Sequence, residues 1–436
     1  WAAQPFHTLI LTFIFAPYFA SSVASDPVQG QALWGYAAAF AGIIIALMSP
    51  ILGAIADATG PRKPWLIAFS LLGIIGSFLL WFAVPGGESG AVAVALFAFI
   101  LCMFGFEFAT VFNNSMMPDL VPREEVGRLS GNAWALGYVA GLLTLILVLA
   151  LMATNDEGKT LIGIDPAFGI DSAAKEGERA TGPLTGIWFL IFILPLFLFT
   201  PDVVKKTKVV GAVSTGLREL GATIKRLPSN RSLFAFLGSS MFYRDALNGL
   251  YTFGGIYAVG VLGWSIVQVG IFGILANITG VIGAYVGGRF DKSRGPKFVV
   301  TASVILLIIA SFVVVTTGPG EALFIPVGGG VPDIVFYICG GVIGAAGGAL
   351  QAASRTLMVD QAEPGRMTEA FGLYALSGRA TSFLAPALIA FVTTMTGSQR
   401  LGVTPVVVLL VIGLLLLPFV KQYGEDGADK SDTQTS

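Results

Sequence analysis

Gly53-Ala-Ile-Ala-Asp57-Ala-Thr-Gly60-Pro-Arg62-Lys63 and Gly287-Gly-Arg-Phe-Asp291-Lys-Ser-Arg-Gly295-Pro-Lys297 repeat one pattern in the two halves of a 436-residue chain. Each has a glycine, an aspartate four residues on, and a Gly-Pro turn carrying basic residues, and each joins one long apolar segment to the next. Gly-Pro pairs mark turns. Asp57 and Asp291 are 234 positions apart, close to half the chain, so a duplicated architecture is predicted.

The apolar segments set the class. The chain is 55% hydrophobic and 12% charged, with mean hydropathy +0.81, whereas average soluble proteins carry about 25% charge. Runs of roughly 20 apolar residues, each able to cross a bilayer as a helix, recur along almost the whole length. The predicted spans are 5–24, 32–56, 65–84, 91–117, 128–152, 184–200, 231–260, 266–289, 297–317, 332–359, 367–394 and 402–420. This is an all-α integral membrane protein with twelve transmembrane helices in two pseudo-symmetric six-helix halves. The boundaries are an N-terminal half 1–200, a basic linker 201–230, a C-terminal half 231–420 and a tail 421–436. Phe6 to Val23 reads as the first transmembrane helix, not as a signal peptide, because no basic stretch precedes it and no small-residue cleavage site ends it. Gly340, Gly341, Gly344, Gly347 and Gly348 form a face on the tenth helix suited to close helix approach.

Several function classes fall away. A net charge of -1 with scattered basic residues gives no footprint for nucleic acid. Cys102 and Cys339 both sit inside apolar segments and read as core packing. No Cys or His cluster has metal-ligand spacing, and no glycine-rich loop precedes a Lys-Ser/Thr pair as ATP use requires. The expectation is no metal, no cofactor and no enzymatic activity, with transport drawing on an ion gradient or the solute's own gradient.

Orientation follows from lysine and arginine, which concentrate in cytoplasmic loops. One set of loops and the tail holds most of them, including Arg62, Lys63, Arg128, Lys205, Arg226, Arg289, Arg294, Lys297, Arg366 and Lys421. The opposite loops hold Lys159, Lys175, Arg179 and Arg400. Both termini and both Asp-Gly-Pro turns are therefore expected on the cytoplasmic side. The long connection 153–183, with Asp156, Glu157, Asp171, Lys175, Glu176, Glu178 and Arg179, is expected as a solvated cover on the other face.

The doubled turn resembles the loop joining helices two and three in major facilitator superfamily transporters. Further stretches narrow the resemblance: Phe112-Asn-Asn-Ser-Met-Met-Pro-Asp119-Leu, Gly127-Arg128-Leu-Ser130 and Trp134-Ala-Leu-Gly-Tyr138, then Gln351-Ala-Ala-Ser-Arg355, Pro364-Gly-Arg366 and Phe371-Gly-Leu-Tyr374. Together they look like the branch that includes the fungal autophagy-related vacuolar amino-acid effluxers and bacterial permeases of unsettled substrate. The resemblance implies two halves related by an axis along the membrane normal, and a conformational latch at Gly53, Asp57, Gly60, Arg62, Asp291 and Gly295. Positive-inside anchoring is the other reading of the same turns. The antiporter signature of helix five has a Gly-Pro pair, and Ala133 to Ile146 contains no proline, so antiport gets no support there.

Charges inside apolar segments are the candidates for transport, since each costs roughly 2.5–3.5 kcal/mol at mid-helix unless paired or hydrated. Glu107, the adjacent Arg244 and Asp245, and Arg379 all fall near the middle of predicted spans. Asp245 and Glu107 could take up a proton in each cycle. Arg244 and Arg379 could hold a carboxylate or phosphate through paired hydrogen bonds. Asn248, one helical turn from Arg244, with Tyr243, Tyr251 and Gln351, could line the same cavity. Two buried ion pairs that only hold helices together are the other reading of these charges. The expected function is secondary transport by alternating access of a small polar organic solute, an amino acid or related zwitterion first, with protons as an optional partner. The expected setting is monomeric, multi-pass, among lipid in a bacterial inner membrane. The alternatives are a lipid or amphiphile translocator, or a non-transporting relative that binds a partner protein.

Overall fold

Backbone N–H and C=O groups in lipid must be satisfied within the segment, which leaves helices as the spanning form for such apolar stretches. The computed structural model describes residues 1–59, 61–86, 88–120, 126–155, 157–202, 225, 229–361, 373–374, 376–378 and 380–422; the side chains of 50, 53–59, 89, 114–115, 117–119, 126–132, 134–135 and 292 also lie outside the description. Among the described residues nine helices are long and apolar enough to cross a membrane, by length and composition.

In chain order the helices are α1 Phe6–Val23, α2 Pro27–Thr59, α3 Lys63–Leu79, α4 Ser89–Leu120, α5 Val126–Leu151 and α6 Thr181–Phe199. They are followed by α7 Arg231–Gly260, α8 Ile266–Arg294, α9 Pro296–Val315, α10 Val331–Gln361, α11 Leu384–Thr396 and α12 Thr404–Leu416. Helix α1 is wound as a wider π-helix over Phe6–Phe13 and Phe19–Val23. The apolar run of α7 is interrupted by Arg244, Asp245 and Asn248.

The helix starts follow local chemistry. Asp26 Oδ1 accepts the Gln29 N–H at 2.9 Å and opens α2, and Asn230 Oδ1 accepts the Leu233 N–H at 2.9 Å and opens α7. Ser265 and Gln268 form a reciprocal capping box at α8: Ser265 N–H donates to Gln268 Oε1 at 2.9 Å, and Gln268 N–H donates to Ser265 Oγ at 3.3 Å. Helix α8 runs to Arg294, five residues beyond the expected end, so Asp291 stands in its last turn.

Two departures from the sequence expectation bear on function. The eleventh segment is not one helix over 367–394: the chain turns at Thr381–Phe383 and restarts as α11 at Leu384. Pro386 has no N–H for the carbonyl four residues earlier and its ring crowds that carbonyl, which opposes a continuous helix there. The connection 153–183 is not wholly a solvated cover either, because Glu178 is 1% and Arg179 8% exposed. Between α9 and α10 a short antiparallel hairpin pairs Glu321 with Pro326 and Ala322 with Ile325.

The chain forms two compact units: Trp1–Arg218 with Thr252–Ile271 and Thr393–Gln399, and Glu219–Tyr251 with Phe272–Val392 and Arg400–Ser436. In the first, α3 and α4 approach closely enough that a Cβ on Gly105 would stand 2.2 Å from the Gly73 nitrogen. Ile45, Leu66, Phe108 and Phe112 pack nearby with Trp65 and Phe69. Gln31, fully buried, donates from Nε2 to Thr393 Oγ1 at 2.8 Å and to the Gln399 carbonyl at 3.2 Å. Gln399 Nε2 donates in turn to the Pro27 carbonyl at 2.7 Å. In the second unit α8 meets the glycine face of α10, where a Cβ on Gly348 would stand 2.1 Å from the Gly280 carbonyl oxygen. Phe40, Leu198 and Phe199 are among the large apolar side chains exposed on the surface, as suits helices bathed in lipid.

Candidate functional site

Adjacent charges on α7 go to different partners within the second unit. Asp245 is 1% exposed. Its Oδ2 accepts the Ala385 N–H at 2.7 Å, one of the N-terminal donors that α11 cannot satisfy internally. Asp245 therefore acts as an N-terminal cap supplied from a different helix, and its negative charge suits the positive end of the α11 dipole. Oδ1 is buried and has no hydrogen-bond partner among the described residues.

Arg244 turns to the chain just before the break. Its Nη1 donates to the Tyr374 carbonyl at 3.0 Å, and its guanidinium lies 4.3 Å from the Tyr374 ring centroid. The same ring stacks on Phe236 at 5.8 Å with an interplanar angle of 12°. Ser377 Oγ also donates to the Tyr374 carbonyl, at 2.9 Å. Gly378 makes room for the arginine, since a Cβ there would lie 2.5 Å from guanidinium atoms. The two α7 charges thus clasp the chain on either side of Thr381–Phe383.

Other expected site residues take distinct positions. Tyr243 is fully buried and shares a hydrogen bond with Ser354 Oγ at 2.8 Å, linking α7 to α10. Tyr251 packs its hydroxyl against α10, where a Cβ on Gly347 would stand 2.1 Å from Oη. Gln351 is half-buried and Asn248 exposed. Glu107 is half-buried in the first unit and forms no ion pair with another described residue. Arg379 lies outside the described residues.

At the doubled turn, Gly60 and the side chains of Gly53 and Asp57 lie outside the described residues. Arg62 is 8% exposed. Asp202 accepts the Arg62 and Lys63 backbone N–H groups at 2.9 and 3.0 Å, capping α3. Lys63 Nζ donates to the Phe197 carbonyl at 2.9 Å, in the last turn of α6. The second turn behaves alike: Lys297 Nζ donates to the Val420 carbonyl at 2.6 Å, just past α12. Asp291 is half-buried. Gly295 adopts φ 82°, which a side chain disfavours, and packs against Gln422. Lys63 thus ties α3 to the end of α6, and Lys297 ties α9 to the chain just past α12.

Sequence reasoning missed Asp202, Ser354 and the Tyr374 carbonyl as partners. Pro386 inside an expected span is the signal that marks the break. The carbonyl partners carry no side-chain signature at all.

Known proteins give the same architecture. The family described as "Vacuole effluxer Atg22 like" matches residues 22–424. An uncharacterized MFS-type transporter, YxiO, of Bacillus subtilis is 25% identical over 443 residues, covering 100% of this chain and 95% of that protein. Autophagy-related protein 22 of Cryptococcus neoformans is 25% identical over 307 residues, 66% of this chain and 49% of that protein, so the alignment spans about half of the fungal relative. Among solved structures, a D-xylose-proton symporter superposes with TM-score 0.68 at 13% identity, covering 97% and 96% of the two chains. A nucleoside transporter superposes with TM-score 0.61 at 14% identity, covering 96% and 97%.

Proposed function

This chain belongs to the Atg22-like family of the major facilitator superfamily, a multi-pass membrane transporter and not an enzyme, and from that premise we propose that it moves a small polar organic solute, an amino acid or related zwitterion, by alternating access. The observation that carries this reading is the clasp on the interrupted eleventh segment, where Asp245 caps α11 and Arg244 lies on Tyr374. Broken helices within membranes occur where the backbone is buried in protein or lines a cavity, and transporters use such ends to meet charged solute groups. A zwitterion answers both signs: its carboxylate can recruit the Arg244 guanidinium, and its ammonium can satisfy Asp245 Oδ1, which has no partner among the described residues. Both exchanges would alter what holds the break, which links solute binding to helix movement. Membership of a family of vacuole effluxer-like proteins supports the transport class.

Asp245 is the proposed proton carrier, with Glu107 as the second candidate. The doubled Asp-Gly-Pro turn is the proposed latch, and the excess of basic residues on its side supports cytoplasmic termini in a bacterial inner membrane.

Uptake of amino acids into proteoliposomes tests the reading. Arg244→Lys loses the planar guanidinium and should raise the apparent KM for a carboxylated solute about tenfold, on the order of one charge-assisted hydrogen bond. Asp245→Asn should weaken the apparent affinity for the solute, leave counterflow at saturating solute, and abolish accumulation driven by a pH gradient. Unchanged apparent affinity in the first variant removes Arg244 from the solute site, and intact accumulation in the second removes proton coupling through Asp245.

A further inference from the structure

Glu178 opens a second site. It lies in a single helical turn, Glu176–Arg179, before α6, and belongs to the first unit. It lines a cavity of about 150 Å³ with Tyr18, Ser21 and Ser22 of α1, Thr154, and Trp264 and Ser265 at the start of α8. That volume is roughly ten times the ~10–15 Å³ needed for one water. Glu178 is 1% exposed, and its Oε1 has no hydrogen-bond partner among the described residues. The nearest positive charge, Lys175 Nζ, stands 3.7 Å away on a side chain that is 36% exposed. Lys175 also lines the cavity. Burying a carboxylate oxygen without a donor is costly, yet the space beside it is walled by hydroxyls and aromatic rings.

We propose that this cavity is a binding site for a small organic ammonium group, with Glu178 as its counter-charge. An ammonium brings three N–H donors. One can reach Glu178 Oε1, and the hydroxyls of Ser21, Ser22, Thr154 or Ser265 can accept the others. Tyr18 already donates its hydroxyl to the Ala83 carbonyl at 2.6 Å, which leaves its oxygen to accept. Tyr18 and Trp264 supply the aromatic walls that favour an organic cation. An anion is repelled by the buried carboxylate. Lys175 is an intramolecular stand-in: its ammonium lies near the carboxylate, and its exposed stem lets it swing out when a ligand enters. The site does not depend on the solute reading for Asp245, which belongs to the other unit, and it is tested by binding without transport.

The probe is ethylammonium chloride, titrated calorimetrically into the full-length protein in detergent, with 1-propanol and sodium chloride as controls. Ethylammonium should bind and 1-propanol should not. Glu178→Gln should weaken binding about tenfold or more, while Lys175→Ala, which removes the competitor, should tighten it about threefold or more. Opposite signs in the two variants separate a ligand contact from a general loss of structure, and Lys175, whose side chain is 36% exposed, can be shortened without opening a void in the interior. The proposal is overturned by no ethylammonium binding to the unaltered protein, by equal binding in Glu178→Gln, by weaker binding in Lys175→Ala, or by a sodium response abolished in Glu178→Gln without an ethylammonium response.

Discussion

Asp245 shows how one side chain can hold a helix end and still be available for chemistry. Its Oδ2 caps α11 through the Ala385 N–H at 2.7 Å, and its Oδ1 is buried without a partner among the described residues. The two roles separate by substitution. Asparagine keeps an oxygen to accept the Ala385 N–H, so Asp245→Asn should melt close to the unaltered protein in detergent. Asp245→Ala removes the acceptor and should lose about 1–2 kcal/mol, the usual value of an N-terminal cap. Equal melting of the alanine variant would show that the cap does not stabilise α11. At this scale the position of the charges was legible, because Arg244 and Asp245 stand out in an apolar run. Their partners were not. Ala385 and the Tyr374 carbonyl contribute backbone groups, and every residue type carries those.

Helix ends and helix contacts explain the elements. Lys63 donates to the Phe197 carbonyl in the last turn of α6, and Lys297 to the Val420 carbonyl just past α12. Basic groups are favoured there by the unsatisfied carbonyls and the dipole. Lys63→Met and Lys297→Met should each cost about 0.5–1.5 kcal/mol in thermal unfolding, and because they share no partner the two losses should add. A double variant no weaker than either single one would contradict this. Close packing of α8 and α10 gives a sharper test. With the Gly280 carbonyl oxygen 2.1 Å from where a Gly348 Cβ would sit, Gly348→Leu must push two backbones apart. Overpacking of this kind costs about 1–3 kcal/mol or more, and the variant should lose its monodisperse peak in size-exclusion chromatography. The glycine face on the tenth helix was readable from spacing alone. The break before α11 was foreshadowed by Pro386, whereas the length of α8 was not, since Arg289 and Asp291 look like loop residues in sequence.

For the whole molecule, sequence order and spatial grouping part company. The first unit takes in Thr252–Ile271 and Thr393–Gln399 from the second half of the chain, and Gln31 is the buried side chain that holds the latter segment. Gln31→Ala removes two donors and leaves the Thr393 and Gln399 oxygens buried, which should cost about 1–3 kcal/mol and speed amide exchange across 393–399 in hydrogen-exchange mass spectrometry. Unchanged exchange there would assign the grouping to apolar packing alone. The sequence by itself determined the class of the protein, its apolar spans, its doubled turn and its family, because hydropathy and turn chemistry are local properties that repeat along the chain. It also exposed the mid-span charges as anomalies. Only the tertiary structure decided what those charges touch, where the eleventh segment breaks, and that Glu178, in a loop rich in charge, is buried against a cavity. Hydrogen bonds to backbone carbonyls, the closing of a void and the desolvation of a carboxylate arise from residues far apart in sequence, and no local pattern encodes their meeting.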